Sequence, residues 1–248
     1  MNDFRLTFTS STNLTLPVGV YHILSHDALH FGFIKNGQPN MSGFINQLVP
    51  SLSDYQEDFH KRLLKYNSGN EELTKAIEKS IYNVYLSPFN FSDDATLKVP
   101  FRVNQQRIKD FYAIHDVKLS HYGTNFTKFI RSLLTEYATK SIDQREVLYA
   151  YSIVKELEGI IKRSRPCHFY CKHKTVSFIP ISIEVSPITR HNVIAGITLQ
   201  EESVFLNLSA VQAIHAESTT VDISDNACEK VQKDIGEYFE KEAFECLD

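Results

Sequence analysis

No stretch of the 248-residue chain approaches the run of about 18 apolar residues that a membrane-spanning helix needs. The N-terminus carries Asp3 and Arg5 with no long apolar run behind them, which argues against a secretory signal. Cysteines number only four and form no tight framework, so a reducing, cytoplasmic compartment is expected. With nine glycines the chain is short of the loops that cofactor sites need, and it has no phosphate-binding glycine loop. Its ten histidines are scattered, none within a Ser/His/Asp or Cys/His arrangement, and no paired-carboxylate signature stands out. A non-enzymatic protein without a cofactor is the expectation. What is present is apolar substance: 42% hydrophobic residues, 17 phenylalanines and 12 tyrosines against 23% charged. That excludes a wholly disordered chain. The length allows one large or two to three small domains.

The net charge of −4 is unevenly spread. Residues 1–60 hold 2 Lys/Arg against 5 Asp/Glu, residues 61–165 hold 18 against 12, and residues 166–248 hold 6 against 13. A basic middle between acidic ends points to polyanion contact in the middle and another purpose for the acidic tail.

Period-two alternation in Asn13-Leu14-Thr15-Leu16 predicts a strand, and Pro17 suits the first turn of a following helix. Val20, Ile23, Leu24 and Leu29 carry the helical stripe of that element. Asn36-Gly37 marks a turn, and Asn40 or Ser42 can cap a second helix through Phe44, Ile45 and Leu48, which Pro50 is expected to break. Leu73, Ile77, Ile81 and Val84 predict a further helix. The pattern then recurs. Residues 97–103 alternate like a strand, a short helix runs through Ile108, Phe111 and Ile114, and another begins near Asn125. The segment 41–49 lies over 126–134 at an offset of 85, and Leu14 lies over Phe101 at 87, so a duplicated strand–helix–helix unit is expected. A long helix over 141–165 ends at Lys162-Arg163-Ser164-Arg165-Pro166. Four or five short alternating strands follow from Phe169 to Leu208, which suggests a small barrel, and a final helix starts near Asn226 with Glu229 as its capping box.

Asn13-Leu14-Thr15-Leu16-Pro17, the helix after it, the Asn-Gly turn and Ser42 resemble the ribbon-helix-helix family of DNA-binding proteins. The resemblance implies a strand that needs an antiparallel partner, which 97–103 would supply within one chain. It also implies that Ser11, Asn13 and Thr15 face outward with Lys98 and Arg102, and that the helix starts near Ser42 and Thr127 face phosphate. The strand Phe169-Tyr170-Cys171, Pro180, Asn192-Val193-Ile194-Ala195-Gly196 and Leu206-Asn207-Leu208 resemble the WYL domain, a small Sm-like barrel. Its aromatic triplet is reduced here to Val193-Ile194-Ala195, which leaves His168, Tyr170, Lys172, Ser182, Arg190 and Asn207 as a polar, partly cationic face. The pairing of the two resembles the WYL accessory proteins of type VI-D CRISPR-Cas antiviral systems.

The expected fold class is therefore α+β: a ribbon-helix-helix pair, possibly an intramolecular tandem, with a small Sm-like WYL barrel and a C-terminal helix. The expected divisions are 1–66, a connecting helix and loop at 67–96, a second unit at 97–140, a linker helix at 141–165, the barrel at 166–224 and the final helix at 225–248. By resemblance the chain is a regulator that binds single-stranded RNA and enhances an RNA-guided ribonuclease effector, with a homodimer, possible duplex DNA contact and no membrane among its partner expectations. A repressor that reads duplex DNA and senses a ligand is the alternative. Cys167, His168, Cys171 and His173 look superficially like metal ligands, yet on a strand His168 takes the face opposite the other three. Buried small hydrophobes account better for both cysteines, and no metal is expected. Arg102 reads equally as a solvated edge charge. Tyr170 beside His168 and Lys172 offers the aromatic and cationic groups that stack unpaired bases and hold phosphates.

Overall fold

The structure is a computed structural model and describes residues 12–86, 96–111, 126–172 and 174–245. The chain is mixed α+β and divides into two compact units, Met1–Lys140 and Ser141–Asp248. Among the described residues, no helix is long and apolar enough to cross a membrane.

The first unit is organised on a two-stranded ribbon. β1 (Thr12–Pro17) pairs antiparallel with β4 (Thr96–Phe101), from Thr12 opposite Phe101 to Pro17 opposite Thr96. Period two sends Leu14, Leu16, Val99 and Phe101 to one face, where each is buried. A lone two-stranded ribbon is marginal in water, so helices must cover that face. They are α1 (Val18–His30), α2 (Met41–Tyr66) and α4 (Phe126–Ala138), which bury Leu24, Phe44, Ile45, Leu48, Phe129 and Leu133; α3 (Glu71–Leu86) packs against α2 and α4. Between α1 and α2 a small hairpin pairs β2 (Ile34–Lys35) with β3 (Gln38–Pro39). Its Asn36-Gly37 link takes φ of 52° and 74°, the positive pair that a type I′ turn requires.

Several expectations are corrected here. α2 continues through Pro50, losing one backbone bond, because Leu48, Val49 and Leu52 on both sides of it are buried. Asn40, not Ser42, caps α2: its Oδ1 accepts the Gly43 N–H at 3.0 Å. On α1 the inward positions fall to Asp27 and Ala28, while Leu29 is 44% exposed. Asp27 is admitted to the core because the Tyr137 hydroxyl donates to it at 2.8 Å. Burial of the strands fits an offset of 85, which sets Leu14 on Val99 and Leu16 on Phe101, and equally the expected 87, which sets them on Phe101 and Val103; the helices match at 85 through Phe44 with Phe129 and Leu48 with Leu133. The short helix expected through Ile108 is described only to residue 111, after the 3-10 turn Gln105–Arg107.

The second unit opens with α5 (Ile142–Tyr149) and α6 (Tyr151–Ile161), two helices where one long helix was expected. The break is at Ala150, φ −96° and ψ 26°, with no Gly or Pro to force it. The two pieces answer different demands: Glu146 of α5 is bonded to the start of a strand, whereas Val154, Leu157 and Ile160 of α6 enter the core. Five strands follow: β5 (Cys167–Cys171), β6 (Thr175–Val185), β7 (Asn192–Ile197), β8 (Ser203–Asn207) and β9 (Val211–Ala216), in the antiparallel order β8-β7-β6-β5-β9. In a flat sheet, with strands about 4.8 Å apart, β8 and β9 would lie roughly 19 Å from each other. The 3-10 turn Leu208–Ala210 joins them directly, and so short a link reaches at most about 14 Å. The sheet must therefore curl. β6 supplies the bend: Thr175 to Phe178 pair with β5, Ile179 to Val185 pair with β7, and the register shifts between Pro180 and Ser182. Gly196 lies against that bend, where an added Cβ would stand 2.2 Å from the Ile179 carbonyl oxygen.

The curl stops short of closure. Among the described residues no ladder joins β8 to β9, so the expected barrel is an open sheet. Strand alternation reports which face is buried and carries no information on whether end strands pair. The last helix, α7 (Asp225–Glu245), begins one residue before Asn226, and Ser224 Oγ accepts the Ala227 N–H at 3.2 Å. Its Val231, Ile235 and Phe239 pack on Val193, Ala195 and Ile197 of β7, so the apolar stripe covers the chain's own sheet.

Candidate nucleic-acid interface

The solvent face of the ribbon gathers four of the sequence-derived candidates. With Leu14 and Leu16 inward, Asn13 and Thr15 turn outward on β1; with Val99 and Phe101 inward, Lys98 turns outward on β4 and Arg102 just past its end. Thr15 stands opposite Lys98, and Asn13 opposite Pro100. Ser11 lies outside the described residues. The two strands contribute unequally: β1 shows neutral Asn13 and Thr15, whereas β4 shows the cations Lys98 and Arg102. Among the described residues neither cation has a carboxylate partner.

α2 locks β4 in place. Asn46 Nδ2 donates to the Arg102 carbonyl at 2.9 Å, and Asn46 Oδ1 accepts the Asn104 N–H at 2.7 Å. Ser42 Oγ lies 3.4 Å from both the carbonyl oxygen and the N–H of Arg102. At the helix start expected to face phosphate, the Ser42 hydroxyl is thus engaged by Arg102 just past β4, and the Asn40 cap takes the Gly43 N–H beside it. Sequence reasoning missed what adjoins this junction. A groove of about 450 Å³ opens between the β2–β3 hairpin, α1, the start of α2 and β4, lined in part by Tyr21, Lys35, Asn36, Asn40, Ser42 and Lys98. The signal was present only as Lys35 beside a turn dipeptide, since nothing local brings Lys98 to it from 63 positions away.

In the second unit the candidates divide. His168 and Tyr170 share the outer face of β5, and their cross-strand neighbours are Ser177 and Thr175 on β6 and His215 and Ala213 on β9. His168 Nδ1 shares a 2.7 Å hydrogen bond with Ser177 Oγ, its Nε2 lies 3.4 Å from Glu217, and its ring stacks on His215 at 6.4 Å. Tyr170 is 43% exposed, and Lys172 is exposed just beyond the strand. Ser182, Arg190 and Asn207 belong elsewhere. Ser182 follows Thr175, the partner of Tyr170, by seven positions along β6, roughly 20 Å of strand at about 3.3 Å per residue. Arg190 sits in the β6–β7 turn at φ 61°, with its guanidinium 3.3 Å from Asp143. Asn207 pairs with Val193 on the outer strand of the opposite half.

A buried polar network, also missed in the sequence, holds that turn. The Glu146 carboxylate accepts the Asn192 N–H at 2.6 Å and Asn192 Nδ2 at 2.9 Å, and meets His191 Nδ1 at 2.8 Å. Forty-five residues separate Glu146 from His191, so no local spacing announces it. Cys167 is fully buried against the core of α6, and burial pushes its thiol up to about 11, so it stays protonated at neutral pH. Burial raises Cys171 as well. His173 lies outside the described residues.

No family model matches the chain, and no curated protein does. Its fold is similar to that of a solved structure described as the crystal structure of a CRISPR Cas-related protein, with a TM-score of 0.61 and 14% sequence identity. The match covers 88% of this chain and 65% of that one, so the chain spans just under two thirds of its neighbour's length.

Proposed function

We propose that the chain is a non-catalytic accessory protein of a type VI-D CRISPR system, one that binds single-stranded RNA and raises the activity of an RNA-guided ribonuclease. The observation that carries this reading is the ribbon face, with Lys98 and Arg102 unneutralised among the described residues, in a fold similar to a CRISPR Cas-related protein. We read the first unit as an intramolecular ribbon-helix-helix pair, in support of which β1 pairs with β4 within one chain and helices cover the buried face of the ribbon. The strand order β8-β7-β6-β5-β9, the bent β6 and the 3-10 turn before β9 support a WYL-type, Sm-like reading of the second. A homodimer in the cytoplasm belongs to the same proposal.

Single-stranded RNA is favoured over a palindromic duplex by the inequality of the two strands. A two-fold operator calls for equivalent readers from both halves. Here β1 turns Asn13 and Thr15 outward where β4 turns out Lys98 and, past its end, Arg102, so the halves no longer match. Cations that follow one strand suit one phosphodiester backbone, and Tyr170 with Lys172 offers a second contact. An accessory protein that holds RNA near its effector raises the local concentration of that RNA. The test is competition between labelled single-stranded RNA and palindromic duplex DNA for the full chain at two salt concentrations, followed by cleavage by the effector ribonuclease with and without the chain. Preference for RNA and faster cleavage are expected. Preference for the duplex supports the repressor, and absence of binding at low salt removes both.

A further inference from the structure

The groove beside the ribbon has the size and lining of a nucleotide subsite, and we infer that it holds one unpaired nucleotide of the bound strand, its phosphate between Lys35 and Lys98 and its base against Tyr21. This inference rests on the RNA-binding reading above and goes further by assigning a pocket and a mode of contact.

Three observations carry it. The volume, about 450 Å³, falls in the range of roughly 300–1,000 Å³ typical of small-ligand pockets. Its two lysines come from separate elements: Lys35 from the hairpin, fixed by the Asn36-Gly37 turn, and Lys98 from the ribbon. Neither has a carboxylate partner among the described residues, so a phosphate entering the groove would replace only water and counterions there. Finally, the lining is mixed in the way a nucleotide requires. Tyr21 of α1 is half-buried, with its ring edge-on to His22 at 5.7 Å, while Asn36, Gln38 and Asn40 bring amide groups to the same recess. An aromatic ring with amide donors and acceptors matches the π-face and edge of a base.

The groove also explains why a bare helix start is not enough. The Asn40 cap and the contact between Ser42 and Arg102 already occupy the polar groups at the beginning of α2. The hairpin adds Lys35, Asn36 and Gln38 to that junction, so that Lys35 and Lys98 line one recess.

The experiment measures binding of a short labelled single-stranded RNA by the full chain and by Tyr21→Ala, Tyr21→Phe and Lys35→Ala, with photo-crosslinking of a 5-iodouridine-containing version of the strand. Loss of base stacking should weaken binding about fivefold or more in Tyr21→Ala, with Tyr21→Phe close to the parent chain. Lys35→Ala should weaken binding and flatten its salt dependence, and crosslinks should map to Tyr21. If the parent chain binds and all three variants bind equally, the pocket is overturned while the RNA-binding reading stands. If only Lys35→Ala loses affinity, the site is a plain phosphate contact and the nucleotide assignment is wrong. If the parent chain binds no RNA at all, the functional reading fails and the pocket with it. Circular dichroism matching the parent guards each comparison.

Discussion

Each unit displays one antiparallel ladder with a polar solvent face, and the two faces differ in what becomes of their charge. On the ribbon, Lys98 and Arg102 stand beside neutral neighbours, and the groove adds Lys35. On β5 and β9, His168 is shared between Ser177 and Glu217, and Arg190 in the far turn is held by Asp143. The second unit has exposed cations too, Lys172 and Lys174 at the β5–β6 turn among them, but β5, β6 and β9 themselves contain no Lys or Arg. Binding of a polyanion is driven by release of counterions from cations that the protein has not already neutralised. Under the RNA-binding proposal, the comparison predicts primary contact at the ribbon and a supporting role for the β5–β6 turn.

The largest expected effect separates the two units through their cores. Phe101→Ala and Phe169→Ala each remove a fully buried ring and should each cost about 3–5 kcal/mol in denaturant unfolding. RNA binding should vanish with Phe101→Ala, which dismantles the ribbon, and persist in Phe169→Ala. The opposite pattern would break the comparison. A smaller loss, about 3 kcal/mol, is expected for Glu146→Ala, because His191 and Asn192 lose their buried acceptor. RNA affinity should be unchanged, since that network belongs to the second unit and the ribbon to the first.

A pH effect smaller again sharpens the reading of β5 as a core strand. Folding favours the protonated Cys167 thiol, with its pKa near 11 against an ordinary 9.0, so the native state binds the extra proton. Its stabilisation is complete below pH 9 and is lost as pH rises from about 9 to 11, at on the order of 1 kcal/mol per pH unit. Unfolding midpoints measured across that window should fall more steeply in the parent chain than in Cys167→Ala.

The sequence made the ribbon legible because a period of two, once one face must be buried, leaves Leu14, Leu16, Val99 and Phe101 no other place. The spacing of the repeated pattern was legible too, with buried positions of the helices 85 apart and those of the strands consistent with 85 or 87. What stayed hidden depends on distant partners. Asp27 is buried because of Tyr137, 110 positions away, and Glu146 because of His191 and Asn192. Pro50 keeps its helix because burial on both sides outweighs one lost bond. Closure of the sheet is a matter of edge pairing, about which alternation is silent. The site candidates followed the same division. Outward positions on a strand could be read locally, whereas the groove that joins Lys35 to Lys98 could not.

The salt dependence of RNA affinity tests the central claim most directly. For the parent chain, Lys98→Ala/Arg102→Ala and Lys172→Ala/Lys174→Ala, the logarithm of the association constant is plotted against the logarithm of salt concentration. Each lost phosphate contact on a single strand should reduce the slope by about 0.7. The account predicts the larger reduction, near 1.4 for two contacts, in the ribbon pair. A slope unchanged in the ribbon pair and reduced in the Lys172/Lys174 pair would contradict it.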